Sequence, residues 1–113
     1  ALKAAGLPPL KPEFGAITLE QLLSHTSGIP SDTDELYKLY VGTSEFDMSM
    51  AARRLAIIAE WGSKNTPKVP EGNPFQYANL GYMTAGAMIE AAAGEPWESL
   101  ITRRIFDALQ LKT

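Results

Sequence analysis

The chain has 113 residues, of which 45% are apolar and 20% charged, and its net charge is −3. This length gives one small domain or part of a larger one, and the apolar fraction is enough for a buried core. With no cysteine and one histidine, His25, the sequence excludes a disulfide framework and a thiolate zinc site, and it argues against a histidine-rich metal site. The two arginine pairs, Arg53-Arg54 and Arg103-Arg104, each lie on a predicted helix that also carries apolar residues. No basic patch therefore stands out, and no nucleic-acid partner is expected.

The ends of the chain and its longest apolar run bear on domain organisation. The run Leu80–Ala93 is too short to span a bilayer. No signal peptide is visible, and Ala1–Lys3 does not resemble a natural start, so we expect both ends to be truncated. Residues 1–113 are predicted to form a single helical subdomain. Its first part, 1–16, is expected to be loop-like because prolines interrupt any helix.

Three helices are predicted in the first half of the chain. The first begins at Thr18, where Gln21 completes a capping box, and it ends before Gly28. The second covers about Asp34–Tyr40. The third covers about Met48–Trp61, and its predicted buried stripe has apolar residues at helical spacing, namely Ala51, Leu55 and Ile58.

Two further helices are predicted after an exposed, proline-containing loop at 63–76. The fourth runs from Asn79 or Leu80 to Gly94 and should be buried nearly all round, since few of its residues are polar. The fifth begins at Pro96, with a core face of Trp97, Leu100, Ile101 and Ile105. No segment alternates with period two, and β-branched residues are sparse. The fold class is therefore mainly α.

The stretch Tyr77-Ala78-Asn79 is the strongest candidate site. It follows a turn-forming run, Pro70–Pro74, and opens the apolar run of the fourth helix. A phenol and a carboxamide at the start of such a helix suit chemistry. The alternative is a buried tyrosine beside an asparagine that caps the helix, and the three-residue pattern alone does not decide between them.

Longer motifs give a family resemblance. Ile17–Pro30, with the sequence ITLEQLLSHTSGIP, resembles the "ITxxxLLxHTSGLP" segment of the serine β-lactamase-related family, which includes class C β-lactamases, penicillin-binding proteins and esterases. Phe75–Tyr82 resembles its "FxYSNxGY" segment, and Ile89–Pro96 its "IIExxxGxP" pattern. Ile105–Thr113 resembles its "IFxPLGMxxT" close, with Ala108 in place of Pro and Gln110 in place of Gly. The resemblance covers 17–113 in the family's order and spacing.

The resemblance implies a fold and a chemistry. The fold is the helical subdomain of the α/β β-lactamase and penicillin-binding-protein (transpeptidase-like) fold, with the sheet portion missing from this chain. The family acts through an acyl-enzyme on a β-lactam, a D-Ala-D-Ala peptide or an ester, without a cofactor. Tyr77 would be the catalytic acid/base partner of a serine, and Asn79 would bind the substrate.

Two other family motifs are needed for that chemistry. No serine of this chain has lysine three residues on, and no Lys-Thr-Gly or His-x-Gly follows the second motif. We therefore expect a fragment of a serine hydrolase that is inactive alone. Alternatives are a non-catalytic binding module that retains the helical fold and a free-standing helical domain with an interaction function.

Other residues and properties are assigned by simpler arguments. His25 is interpreted as a loop residue that holds the turn after the first helix, and Ser24 and Ser27 as turn and cap residues. Glu90 is either a buried hydrogen-bonding residue or the wet edge of its helix. The expected partner is a small acyl substrate, and an exposed apolar face would favour self-association. The compartment is unassigned by the sequence itself; only the resemblance favours a periplasmic or secreted location.

Overall fold

A computed structural model describes residues 2, 5–44 and 47–111. These residues form six α-helices followed by a π-helical turn: α1 (Pro12–Gly15), α2 (Leu19–Leu23), α3 (Asp34–Ser44), α4 (Met50–Gly62), α5 (Asn79–Ala93), α6 (Trp97–Ile101) and the π-turn (Thr102–Phe106). No strand occurs in the described ranges, so the mainly α fold class is confirmed. The last two residues of the family's closing pattern, Lys112 and Thr113, lie outside the described residues.

The lead-in differs from the loop expected at 1–16. Pro12 occupies the start of α1, where its fixed φ suits the helix and its missing N–H costs nothing. The proline therefore begins a short helix instead of interrupting one. α1 places Phe14 in the core, with its ring 5.9 Å from that of Trp61.

The capping box predicted for the first helix is present at α2. The Thr18 hydroxyl accepts the Gln21 N–H at 3.2 Å, and the Gln21 side-chain oxygen accepts the Thr18 N–H at 2.9 Å. Of the leucines on this helix only Leu22 is buried, whereas Leu19 and Leu23 are 37% and 44% exposed. α2 therefore contributes one residue to the core and leaves an apolar edge outside it.

The next two helices have shifted bounds and a shifted buried face. α3 continues four residues past the predicted Tyr40, to Ser44. α4 begins at Met50, because the Ser49 hydroxyl caps it by accepting the Ala52 N–H at 3.1 Å. The predicted stripe is wrong in part: Ile58 is buried, but Ala51 and Leu55 are only half-buried. Ile57, Ala59 and Trp61 are buried as well, although the predicted stripe did not include them.

α5 has the predicted bounds but not the predicted burial. It ends at Ala93, and Gly94 adopts φ 72° as the left-handed cap. Its buried residues are Leu80, Gly81, Thr84 and Ala85, so the expectation that it would be buried nearly all round is wrong. The described helices cover only the sides of α5 that face α2, α4 and α6. A Cβ at Gly81 would make an ordinary contact, 3.6 Å from the Leu22 carbonyl oxygen, and a Cβ at Gly86 would meet nothing within 4 Å.

Few residues of α6 and the π-turn are buried. α6 begins at Trp97, one position after the predicted start, and Pro96 is its N-cap. Of the predicted core face only Leu100 is buried; Trp97 and Ile105 are 38% and 44% exposed. An apolar hollow of about 390 Å³ runs between α5, α6 and the π-turn, lined by Ile89, Ala92, Ala93, Trp97, Leu100, Ile101, Arg104 and Ile105.

An ion-pair cluster ties three helices together. Arg54 on α4 contacts Glu90 on α5 at 2.8 Å and Glu98 on α6 at 2.6 Å. The Glu90 side chain is only 10% exposed, and it also accepts the backbone N–H of Trp97 at 2.9 Å. Glu90 is therefore a buried hydrogen-bonding residue and not the wet edge of α5. None of the described helices has the length and apolar character needed to cross a membrane.

Candidate functional site

Tyr77 and Asn79 lie side by side at the surface where α5 begins. The Tyr77 hydroxyl donates to the Asn79 Oδ1 at 3.0 Å. Tyr77 is 56% exposed, so it is not a buried tyrosine. Asn79 is the first residue of α5, and the N-cap position belongs to Ala78, which offers no side-chain cap. Neither half of the packing alternative is therefore found, and both polar side chains are accessible.

A carboxylate fixes the orientation of the Asn79 amide. The Asn79 Nδ2 donates to the Asp32 Oδ2 at 2.9 Å. Because a carboxylate only accepts, the amide must present its nitrogen to Asp32 and its oxygen to Tyr77. The phenol of Tyr77 is consequently the donor and carries its proton in this arrangement. The second N–H of the Asn79 amide stays available for another acceptor.

Asp32 is held in turn by Tyr40. The Tyr40 hydroxyl donates to the Asp32 Oδ1 at 3.1 Å. Burial, the charge of Asp32 and this hydrogen bond together raise the pKa of the Tyr40 phenol far above its ordinary value, with burial the largest cause. Tyr40 is therefore a fixed donor that orients the carboxylate, and the polar chain runs from Tyr77 through Asn79 and Asp32 to Tyr40.

The segment before α5 is also tied down by the chain after α2. The Ser31 hydroxyl donates to the Tyr77 carbonyl at 2.5 Å. The imidazole of His25 accepts the Ala78 N–H at its Nδ1, at 3.1 Å. His25 thus contacts the candidate site directly, which its interpretation as a turn residue did not include.

The neighbouring serines have the turn roles assigned to them. Ser24 is the C-cap of α2, and its hydroxyl donates to the Glu20 carbonyl at 2.8 Å. The Ser27 hydroxyl accepts the Ile29 N–H at 3.3 Å and is buried. Neither hydroxyl is hydrogen-bonded to Tyr77.

Sequence reasoning missed Ser31, Asp32 and Tyr40 as parts of this site. Ser31 and Asp32 come just before α3, where polar residues of this kind are typical of a helix start. They lie 46 and 47 residues from their partners, and a helix-start pattern predicts a local cap but no long-range contact. No group of three or more metal-ligating side chains is found among the described residues.

The chain is similar to known proteins in sequence and in fold. The family model described as Beta-lactamase matches residues 5–113. Penicillin-binding protein 4 of Amycolatopsis lactamdurans is 30% identical over 95 residues, which is 84% of this chain and 22% of that protein. The probable fimbrial assembly protein FimD, serogroup H1, of Dichelobacter nodosus is 33% identical over 105 residues, 92% of this chain and 23% of that protein.

A solved structure is similar to this chain in fold. The octameric penicillin-binding protein homologue from Pyrococcus abyssi matches with a TM-score of 0.52 and 25% identity, over 96% of this chain and 27% of that one. The helices described above are thus a helical portion of the penicillin-binding-protein fold. The chain belongs to the β-lactamase family, a family of serine hydrolases. It spans about a quarter or less of the length of the curated relatives above.

Proposed function

We propose that this chain supplies the Tyr-x-Asn part of an acyl-transfer site in a serine hydrolase. The observation that carries the proposal is the pair of accessible side chains, with the Tyr77 hydroxyl 3.0 Å from the Asn79 Oδ1. The substrate is an acyl compound: a β-lactam, a D-Ala-D-Ala peptide or an ester.

In this proposal Tyr77 exchanges a proton with the serine nucleophile of the family. The serine attacks the substrate carbonyl as its proton passes to the phenolate, and the phenol then gives that proton to the departing amine or alcohol, which leaves an acyl-enzyme. Water hydrolyses the acyl-enzyme and restores the serine. Free tyrosine titrates near pH 10, so the phenolate needs a cation close by. The lysines of the other family motifs supply that cation.

Asn79 orients the substrate or a motif lysine. One N–H of its amide is bound by Asp32, and the other can donate to a substrate carbonyl. The Asn79 Oδ1 has a second lone pair beside the one that accepts the Tyr77 hydroxyl, and a motif lysine can donate to it.

The first experiment uses the chain as it is. Because no serine here has lysine three residues on, we expect no hydrolysis of nitrocefin or of p-nitrophenyl esters by this chain. Turnover that Tyr77→Phe abolishes in this same chain would overturn the proposed need for the other motifs.

The second experiment uses the natural protein that contains this segment. Tyr77→Phe is expected to lower kcat by about 100-fold to 10,000-fold, the usual contribution of an acid/base group. Asn79→Ala should lower kcat/KM by about 100-fold through misplacement of the reactants. Tyr37→Phe is the matched control, since Tyr37 lies on α3 and is 66% exposed. Equal activity of the Tyr77→Phe and Tyr37→Phe proteins would reject the acid/base role and favour a binding module.

A further inference from the structure

We infer that His25 is a positioning residue for Tyr77 and Asn79. Its imidazole and its backbone hold the extended segment 76–78, which carries both candidate site residues. The effect on catalysis rests on the proposed function, whereas the contact between His25 and the 76–78 segment does not. The hydrogen bonds, the backbone conformation and the ring packing of His25 each support the positioning role.

Two hydrogen bonds join His25 to alternate residues of that segment. The His25 carbonyl accepts the Gln76 N–H at 2.7 Å, and its Nδ1 accepts the Ala78 N–H at 3.1 Å. Alternate residues of an extended chain present their N–H groups to the same side, so one residue can bind both. Tyr77 lies between the two anchor points, and Asn79 follows directly after the second.

The ring of His25 also packs on the ring of Tyr77. Their centroids are 4.8 Å apart, with 38° between the planes. Tyr82 stacks on the imidazole at 4.8 Å and 21°, and Phe75 meets it edge-on at 5.7 Å. The Tyr82 hydroxyl donates to the Leu23 carbonyl at 2.8 Å, which anchors this stack to the end of α2. The imidazole therefore limits the directions that the Tyr77 ring can take.

The backbone of His25 argues against a role in the turn alone. His25 has φ 58°, in the left-handed region, where a side chain with a Cβ is strained by about 1–2 kcal/mol. Glycine or asparagine would end α2 at lower cost. A strained non-glycine residue points to a use for its side chain. The hydrogen bond from the Ala78 N–H to the imidazole is such a use. It requires a neutral imidazole whose Nδ1 carries no proton.

Three substitutions separate the acceptor from the shape of the turn. His25→Asn places its Oδ1 on the same branch position as the imidazole Nδ1, and asparagine tolerates the left-handed conformation. His25→Leu removes the acceptor but is also strained in that conformation, so His25→Gly is the control that keeps the turn and removes the acceptor. If the turn alone mattered, the glycine variant would hold the 76–78 segment as the asparagine variant does. If the acceptor matters, the leucine and glycine variants both release the segment and the asparagine variant retains it.

The contact is tested by NMR on this chain, labelled with nitrogen-15, in mildly alkaline buffer. A scalar coupling across the N–H···N hydrogen bond between the Ala78 nitrogen and the His25 Nδ1 is expected. In His25→Leu the exchange rate of the Ala78 amide should rise by about tenfold, as for loss of one hydrogen bond. In His25→Asn it should stay within about threefold of the wild-type rate. Absence of the coupling in the unaltered chain would overturn the contact, even if His25→Leu fails to fold.

The positioning role is tested in the natural protein. We expect His25→Leu to lower kcat by about 100-fold with little change in KM, and His25→Asn to recover most of it. If Tyr77→Phe has no effect, the proposed function fails while the NMR result for His25 still stands. If Tyr77→Phe is inactive and His25→Leu keeps full kcat, the positioning role is wrong and the acid/base role survives.

Discussion

Replacement of Gly28 by alanine is the perturbation whose cost follows most directly from the geometry. Gly28 lies in the turn between α2 and α3, with φ 86°. A Cβ at this position would lie 2.8 Å from the backbone nitrogen of Lys68 and 2.9 Å from its carbonyl carbon. Backbone atoms cannot swing aside as a flexible side chain would. The loop 66–70 must move, or the Gly28 turn must open.

Two terms set the size of the effect. The left-handed conformation costs alanine about 1–2 kcal/mol relative to glycine. Overpacking against fixed atoms adds about 1–3 kcal/mol, and movement of the loop weakens the Lys68 N–H bond to the Gly28 carbonyl, now 2.9 Å. We expect Gly28→Ala to lower the free energy of unfolding by about 2–5 kcal/mol. This is a large fraction of the stability of a small domain.

Gly72 provides a matched control for the first term. It has φ 82°, and a Cβ there would meet nothing within 4 Å. Gly72→Ala should therefore cost only the conformational term, about 1–2 kcal/mol. The difference between the two variants isolates the contact between the turn and the 66–70 loop.

The assay is urea unfolding followed by circular dichroism. With a slope of about 1–3 kcal/mol per molar urea, the midpoint of Gly28→Ala should lie roughly 1 M below that of Gly72→Ala. Equal midpoints for the two variants would refute the close approach of the backbones at Gly28. If the midpoint of Gly72→Ala lay below that of Gly28→Ala, the contacts assigned to a Cβ at both glycines would be refuted.

Three other outcomes are expected. Because the pKa of the Tyr40 phenol is raised in the folded chain, stability should fall as pH rises above about 10, and Tyr40→Phe should reduce that fall in urea titrations at alkaline pH. Arg54→Met should lower the free energy of unfolding by about 2–4 kcal/mol, because it leaves the largely buried Glu90 carboxylate without its partner. Arg103→Met, at an exposed pair, should lower it by about 1 kcal/mol or less in the same assay. The apolar hollow beside α5 and α6 should drive self-association in sedimentation measurements, and a monomeric wild-type chain would contradict that expectation. Ile105→Lys, which puts a charge at a 44% exposed position in the lining of the hollow, should weaken the self-association.

The local signals of the sequence predicted the elements well. The capping box at Thr18 and the left-handed glycine after α5 place helix ends correctly, since each depends only on neighbouring residues. Burial was predicted poorly. The composition of α5 is apolar on every side, but what covers a helix is decided by the elements that pack on it. In the described chain these are α2, α4 and α6, and they leave residues such as Met88 exposed.

The candidate site shows the same contrast between local signals, which the sequence reveals, and long-range contacts, which it does not. Tyr77 and Asn79 are two residues apart, so a short motif can mark them. Their partners His25 and Asp32 are separated from Ala78 and Asn79 by 53 and 47 residues, and no periodicity or cap links such positions. The sequence marked His25 only as the residue after a helix, yet its φ of 58° is strained unless its side chain is used. A site held by long-range contacts can therefore be named from its motif, but the residues that orient it become visible only once the turn and the helix start are brought together.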